Sequence, residues 1–558
     1  MSKTPQHAFI NGKIITVDKN FSIQEAFLIE GDIIIAVGTN SEILELVDPK
    51  TIIHDLNGQT VIPGLIDCHA HLDREGLKSV FPSLGKVRSI HEIQNRIAEL
   101  SHAYQPGEWI VTMPIGDPPT YFNVPDILEE KRYPNRYELD EASPNNPVYI
   151  KPIWGFWRHT FPLVSIANSK ALELAKINKN FNSISELIEI DRDIKGEPTG
   201  IFYENTMMPI LELTTFNMIP RFTEQERTRG IKDACLAYHK FGTTGIFEEH
   251  GVVTELLSAY KNADKNGDLT MRTALVVSPV WEPSVKSNFS DFLKNWMGWL
   301  SEPTIGSKYL KCTCLFVDIN PLKENALRAK SLPYTGWAGF NYDTALTSEE
   351  AYDLCLACAQ NDIRVVIIWP NMIDIIYAVH QKISLKGKRW ILGHISSLSD
   401  SDIDKIVEME LIISMHTNRY IYKEGHLLKE KLGVERENEI SPIASLIQRG
   451  ITVSLATDNV PVSLFYPIWQ VIKRQNLWTN EIIGPGQTIS REDALRCATI
   501  NGAKFTFEED KKGSLEPGKY ADFAILNKDP LSCPIDEVKD IESIATYVGG
   551  SKVYERQP

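Results

Sequence analysis

The sequence predicts an α/β chain: a (β/α)8 TIM-like barrel carrying a small β-sandwich domain built from both termini. Three observations carry this expectation. Short apolar runs alternate with helical patterns through the middle of the chain, as the crossovers of a parallel barrel require. Both ends are instead rich in short strands and turns. The 558 residues are enough for one large barrel with insertions.

The terminal strands come first. "AFINGKIITVD" places Asn11-Gly12 between two strands, a hairpin signal. "AFLIEGDIIIAVGT" repeats the form around Gly31-Asp32, and "TIIHDLNGQTVIP" adds a further strand. The far end offers "GSLEPGKYADFAILNKDP" and then "IATYVGGSKVYER". Strands from the two ends can supply each other's missing edge partners. The expected sandwich parts are residues 1–62 and 506–558, with the barrel over 63–505.

Eight candidate strands follow between them: "VIPGLIDCHAH", "PVYIKPIW", "GTTGIFEEH", "YLKCTCLFVDI", "IRVVIIWP", "RWILGHI", "LIISMHT" and "ITVSLATDN". Helical patterns such as "TEQERTRGIKDACLAYHKFG" and "SDSDIDKIVEMEL" separate several of them.

Composition narrows the partners. Lys and Arg number 58 against 73 Asp and Glu, a net charge of −15. That argues against a nucleic-acid backbone or an anionic membrane as partner and leaves a small molecule. The first twenty residues carry no signal-peptide pattern, and no apolar run approaches the roughly 18 residues of a membrane span. A cytoplasmic protein is expected. The eight cysteines are irregularly spaced, and "CLAC" lies in an amphipathic helical pattern, so its thiols read as packing residues.

Polar residues at the strand ends need a chemical reason, because a barrel of this kind works at the C-terminal ends of its strands. The first strand ends in His69 and His71. Side chains two apart in a strand share a face, so both imidazoles can reach one cation. Two histidines of a surface loop are the plain alternative. His394 ends "RWILGHI", where a lone histidine is also a common structural residue. Asp458 ends "ITVSLATDN"; it can cap the next helix, or bind metal and accept a proton from water. Glu248, Glu249 and His250 close "GTTGIFEEH", and alternation puts Glu248 and His250 on one face. His416 ends "LIISMHT" and can bind metal or orient substrate. Trp154, Arg158 and His159 in "WGFWRHT", with Trp369, suit either a core cluster or an apolar wall for substrate.

"VIPGLIDCHAHLD" resembles the metal-binding opening of the amidohydrolase superfamily, closest to amidohydrolase family 3, the branch with N-substituted formamide deformylases. The resemblance runs nearly end to end. "SIANSKALELAKI" and "GEPTGIFYENT" look like the family's insertion between early strands, and "GTTGIFEEHG" like its third strand. "ILGHISSLSDSDIDKIVEMELIISMHTNRY" and "SLATDNVPVS" resemble strands six to eight, and "KKGSLEPGKYADFAILNKDPL" the returning β-domain. The resemblance implies a metal-dependent hydrolase of C–N bonds. It carries the metal role onto His69, His71 and His394, and the general-base role onto Asp458; Asp458 is further expected to bind the metal and His394 to take part in catalysis.

Two departures stand out. The family usually has a histidine at the end of strand five, where this chain has Ile368 and Trp369. Many members use a carboxylated strand-four lysine; Lys311 is the candidate, with Cys312, Cys314 and Asp318 as softer ones.

The expected function is hydrolysis of an N-acyl amine, formamide or cyclic amide. Zinc is expected as one or two ions, with manganese or iron compatible. Asp458 acts as the base, and Glu248, Trp369, His416, Trp154, Arg158 and His159 meet the substrate. Decarboxylation, deamination or ring opening in the same barrel is the alternative, and a barrel that only binds a ligand is a third. A homodimer is a further expectation of the resemblance.

Overall fold

The computed structural model describes residues 6–119, 121–153, 161–206, 209–279, 281, 283–302, 305–319 and 346–557. Among them, residues up to Glu75 and from Ile231 onward form one compact unit, and Gly76–Gly230 belong to a second.

The first unit contains the barrel. Its strands are β1 (Leu65–Asp67), β2 (Thr243–Val252), β3 (Arg272–Val277), β4 (Leu310–Val317), β5 (Val365–Ile368), β6 (Ile391–Gly393), β7 (Ile412–Met415) and β8 (Val453–Leu455). They pair in parallel in that order from β1 to β8. The Cys68 N–H donates to the Leu455 carbonyl and brings β1 back against β8. The barrel expected from alternating strands and helices is therefore present.

Alternate residues of each strand divide between two cores. Val366 and Ile368 join an inner cluster with Ile66, Phe247, Phe316 and Ile391. Val365 and Ile367 face outward into a second cluster with the helices, against Leu354, Ile376 and Ile403. Strands buried on both faces read as continuous apolar runs, which is why "VVII" and "ILG" show no polar alternation. Each such side chain contributes ~1.5–3 kcal/mol on burial. The helix Ser348–Gln360 that carries "CLAC" starts with a capping box from Thr347 and Glu350 and buries Cys355 and Cys358. All eight cysteines are free thiols.

Strand order departs from the expectation in one place. "PVYIKPIW" is not a barrel strand: Val148–Ile150 belongs to a five-stranded sheet of the second unit, between Ile110–Thr112 and Leu163–Ala167. The missing barrel strand is Arg272–Val277. "GTTGIFEEH" is accordingly the second strand, not the third.

Both termini build sheets, as expected. Thr60–Pro63 pairs antiparallel with Phe523–Leu526 in a six-stranded sheet. A four-stranded sheet of Ile33–Gly38, Ala26–Glu30, Gln6–Ile10 and Ile52–Asp55 accompanies it. Aromatic rings form the core of this part. Phe9 stacks on Phe27 at 4.8 Å, and Phe523 meets both edge-on at 5.0 and 4.9 Å.

In the second unit, helices Ile90–Ser101 and Arg136–Ala142 accompany the five-stranded sheet. Asn168 locks its centre, accepting from the Val148 and Ala171 N–H groups.

Candidate metal centre

His69 and His71 leave β1 side by side because the strand ends are pinned. Asp67 accepts from the His69 and Thr457 backbone N–H groups, joining the ends of β1 and β8. Asn459 brackets His71: its side chain accepts from the His71 N–H at 2.9 Å and donates to the His71 carbonyl at 2.8 Å. Both imidazoles are fully buried.

Each imidazole is oriented by a carboxylate from β2. His69 Nδ1 bonds Glu249, and His71 Nδ1 bonds Glu248. A carboxylate on Nδ1 holds the proton there and turns the Nε2 lone pair inward, the arrangement of histidine ligands to metals. The two Nε2 atoms face each other at 3.1 Å. Asp458 Oδ1 lies 3.5 Å from His69 Nε2 and 3.2 Å from His71 Nε2. From β2 and β6, His250 Nε2 and His394 Nε2 approach to 3.0 Å. The Tyr420 hydroxyl, on the π-helical turn Asn418–Lys423 after β7, stands 3.4 Å from His394 Nδ1.

This donor set fits a divalent ion. Facing imidazole lone pairs repel unless a cation lies between them, and nitrogens ~2.0–2.1 Å from one ion stand about 3 Å apart. Ligand atoms of His69, His71 and His250 fall within 4.8 Å of one another, as do those of His69, His394 and His416.

A proton on His69 can take the place of that ion. Burial alone would lower the His69 pKa, yet Glu249 and Asp458 push it up to about 9. Burial pushes Glu248 up to about 8 and raises Glu249 too. Burial, reinforced by neighbouring imidazoles, holds His250, His394 and His416 well below the ordinary histidine range. Burial opposes ionisation of Asp458, but the His69 hydrogen bond and charge, with Arg74 and His394, hold its carboxyl well below the usual range. The Arg74 guanidinium donates to Asp458 Oδ1 at 3.3 Å.

The structure thus brings together His69, His71, His394, Asp458, Glu248 and His416. Strict alternation along β2 would turn Glu249 away. The register with β3 shifts between Glu248 and Val252 instead, and Glu248, Glu249 and His250 all serve one site. Gly393 makes room for Glu249, since a Cβ there would collide with its carboxylate. Trp369 follows β5, with ring centroids 6.2 Å from His394. Its backbone, at φ 71° and ψ 143°, lies near a region that glycine favours, so position 369 holds local strain.

Lys311 is not brought to the cluster. It stands at the start of β4, the opposite end of the barrel, where it pairs with buried Glu508. Cys314 packs in the inner apolar cluster. Trp154, Arg158 and His159 lie outside the described residues. Arg74, Asn459 and Tyr420 were not singled out by sequence; their contacts come from distant elements, although Asn459 directly follows Asp458.

A family model described as the amidohydrolase family matches residues 53–554. The chain is 25% identical over 570 residues to an N-substituted formamide deformylase of Arthrobacter pascens, covering 98% of each. It is 23% identical over 559 residues to the putative amidohydrolase YtcJ of Bacillus subtilis, again covering 98% of each. Among solved structures, an uncharacterized metal-dependent hydrolase from Pyrococcus horikoshii superposes with a TM-score of 0.69 at 21% identity, covering 95% of this chain and 99% of that one. No helix among the described residues is long and apolar enough to cross a membrane.

Proposed function

The chain belongs to the amidohydrolase family, and from that premise we propose that it is a metal-dependent hydrolase of a carbon–nitrogen bond in a small molecule, with a formamide, N-acyl amine or cyclic amide as substrate. One observation carries the reading: two carboxylate-oriented imidazoles face each other at 3.1 Å with Asp458 Oδ1 at 3.2 and 3.5 Å.

His69, His71 and His394 would hold the ion, with Asp458 as an oxygen ligand and His250 alongside His394. The imidazole-rich set suits zinc, and manganese or iron is compatible. Bound there, a divalent ion supplies Lewis acidity that polarises a carbonyl and lowers the pKa of water.

The protein's own groups do the rest. Asp458 is anionic at neutral pH, so it can accept a proton from the attacking water. It then returns that proton to the nitrogen as the C–N bond breaks, giving a carboxylic acid and an amine. Arg74 steadies the carboxylate between these steps. Glu248 and Glu249 keep His71 and His69 in the tautomer that leaves Nε2 free. Trp369 offers an apolar wall beside His394, which favours an apolar or aromatic substituent on the substrate. A cytoplasmic location and a homodimeric assembly complete the reading.

Ile368 and Trp369 provide no strand-five ligand, which is the ground for a barrel that only binds a ligand. The approach of His250 to His394 supports the catalytic reading instead. Zinc-loaded protein incubated with formamides, N-acyl amines and cyclic amides should release amine, and activity should disappear in Asp458→Asn. Carbon dioxide or ammonia as the product would favour the alternative chemistries, decarboxylation or deamination.

A further inference from the structure

The second unit holds a cavity of its own, about 440 Å³ in volume and lined by Phe81, Tyr104, Glu108, Trp109, Val111 and Pro220. None of these residues belongs to the metal centre. Three carry aromatic rings, one carries a carboxylate, and none is basic. The volume falls in the range of roughly 300–1,000 Å³ that small-molecule pockets occupy.

The fold fixes the walls. Trp109 directly precedes the strand Ile110–Thr112, and the Trp109 and Phe81 side chains pack on the apolar core of this unit, which includes Val111. Tyr104 and Glu108 flank a tight turn with Gly107 at φ 88°, a conformation that favours glycine. Buried Asn146 pins the turn, donating to the Gln105 carbonyl at 2.5 Å and to the Glu108 carbonyl at 2.9 Å. The Gly107 N–H donates to the Asn145 carbonyl at 2.9 Å. Glu108 Oε2 accepts from the Gln105 N–H at 2.8 Å, which leaves Oε1 without a partner among the described residues.

Aromatic faces carry partial negative charge and attract cations. Glu108 adds a full negative charge to the same cavity. Positive charge near the rings is already balanced: Lys151 Nζ, 5.1 Å from the Phe81 centroid, pairs with Glu212. The cavity therefore favours a cation. Its chemistry also says which kind. A primary ammonium brings three N–H donors that each need an acceptor, and every lining side chain except Glu108 is aromatic or aliphatic. A quaternary ammonium has no N–H, and its methyl groups can pack directly on the rings.

We infer that this cavity binds a small quaternary ammonium ion, with the trimethylammonium head among Phe81, Tyr104 and Trp109 and Glu108 as its counter-ion. Binding there needs neither the metal centre nor hydrolysis.

The test uses full-length protein, choline, and the neutral isostere of choline in which carbon replaces the quaternary nitrogen. Calorimetric titration should show saturable choline binding with a Kd on the order of 1 mM, and the neutral isostere should bind at least ~10-fold more weakly. Glu108→Gln and Tyr104→Ala should each weaken choline binding by ~3–10-fold, while Tyr104→Phe, which keeps the ring, should bind as wild type does. Thermal unfolding checks that each variant is folded. Should Tyr104→Ala not fold, Glu108→Gln and the comparison of the two ligands on wild-type protein still decide. Equal affinity for the neutral isostere would overturn the inference, because the site would then not read charge. Choline affinity unchanged by both Glu108→Gln and Tyr104→Ala would overturn it too, and so would the absence of saturation at ~100 mM choline.

Discussion

His250 Nε2 stands 3.0 Å from His394 Nε2, joining the second barrel strand to the sixth. Position 369, after β5, holds an indole, and in the proposed centre β2 would supply the imidazole that the fifth strand lacks. His250→Ala should weaken metal binding by more than the ~10–100-fold that loss of a supporting partner costs. Competition against a chromophoric chelator measures it, and an unchanged affinity would remove His250 from the centre.

Glu249 orients His69, and burial makes its charge expensive to keep. Glu249→Gln keeps the shape and an acceptor but loses the charge. A fall of ~10-fold in metal affinity is expected, with the melting temperature of the metal-free protein held or raised. Equal metal affinity in the variant would show that the carboxylate is packing rather than support.

Lys311 pairs with Glu508 far from the imidazoles, and Lys512 bonds the same carboxylate. Lys311→Met should therefore keep full metal content while losing about 1.5–3 kcal/mol of stability in urea titrations, the scale of one hydrogen bond to a charged group. A loss of metal would restore Lys311 as a ligand.

Burial opposes ionisation of Glu508, but Lys512 and Lys311 outweigh it and hold its pKa at about 2, below the ordinary 4.5. A folded-state pKa below the unfolded one stabilises the protein above the unfolded value. That contribution, on the order of 3 kcal/mol, is lost as pH falls from about 4.5 towards 2. Unfolding free energies of wild type and Glu508→Gln should differ at pH 7 and converge through that acid window. A gap that stays constant with pH would contradict the assignment.

Trp369 has a testable role in specificity. Trp369→Ala should leave metal content intact and raise KM for aryl formamides relative to alkyl ones by about tenfold, the scale of one lost aromatic contact. Equal effects on both substrate types would place the indole outside the substrate's reach.

The barrel and half of the site were legible in the sequence for a physical reason. His69, His71, His394, His416 and Asp458 each follow an apolar run, and the end of a buried strand is where polar groups can converge. Arg272–Val277 was not legible as a barrel strand, nor Val148–Ile150 as belonging elsewhere. Both are short apolar runs, and which sheet such a run joins depends on distant partners. Glu249 was hidden by the period-two rule, which the irregular register of β2 breaks. Lys311 was misplaced for the opposite reason. It lies on the right strand but at its first turn of pairing, beside residues that face the β-rich end of the chain.

Metal content of protein purified without chelator tests the central claim most directly. About one equivalent or more of a transition metal per chain is expected, removed by chelator and restored by zinc or manganese. Less than about one-tenth of an equivalent, unchanged after adding either ion, would contradict it.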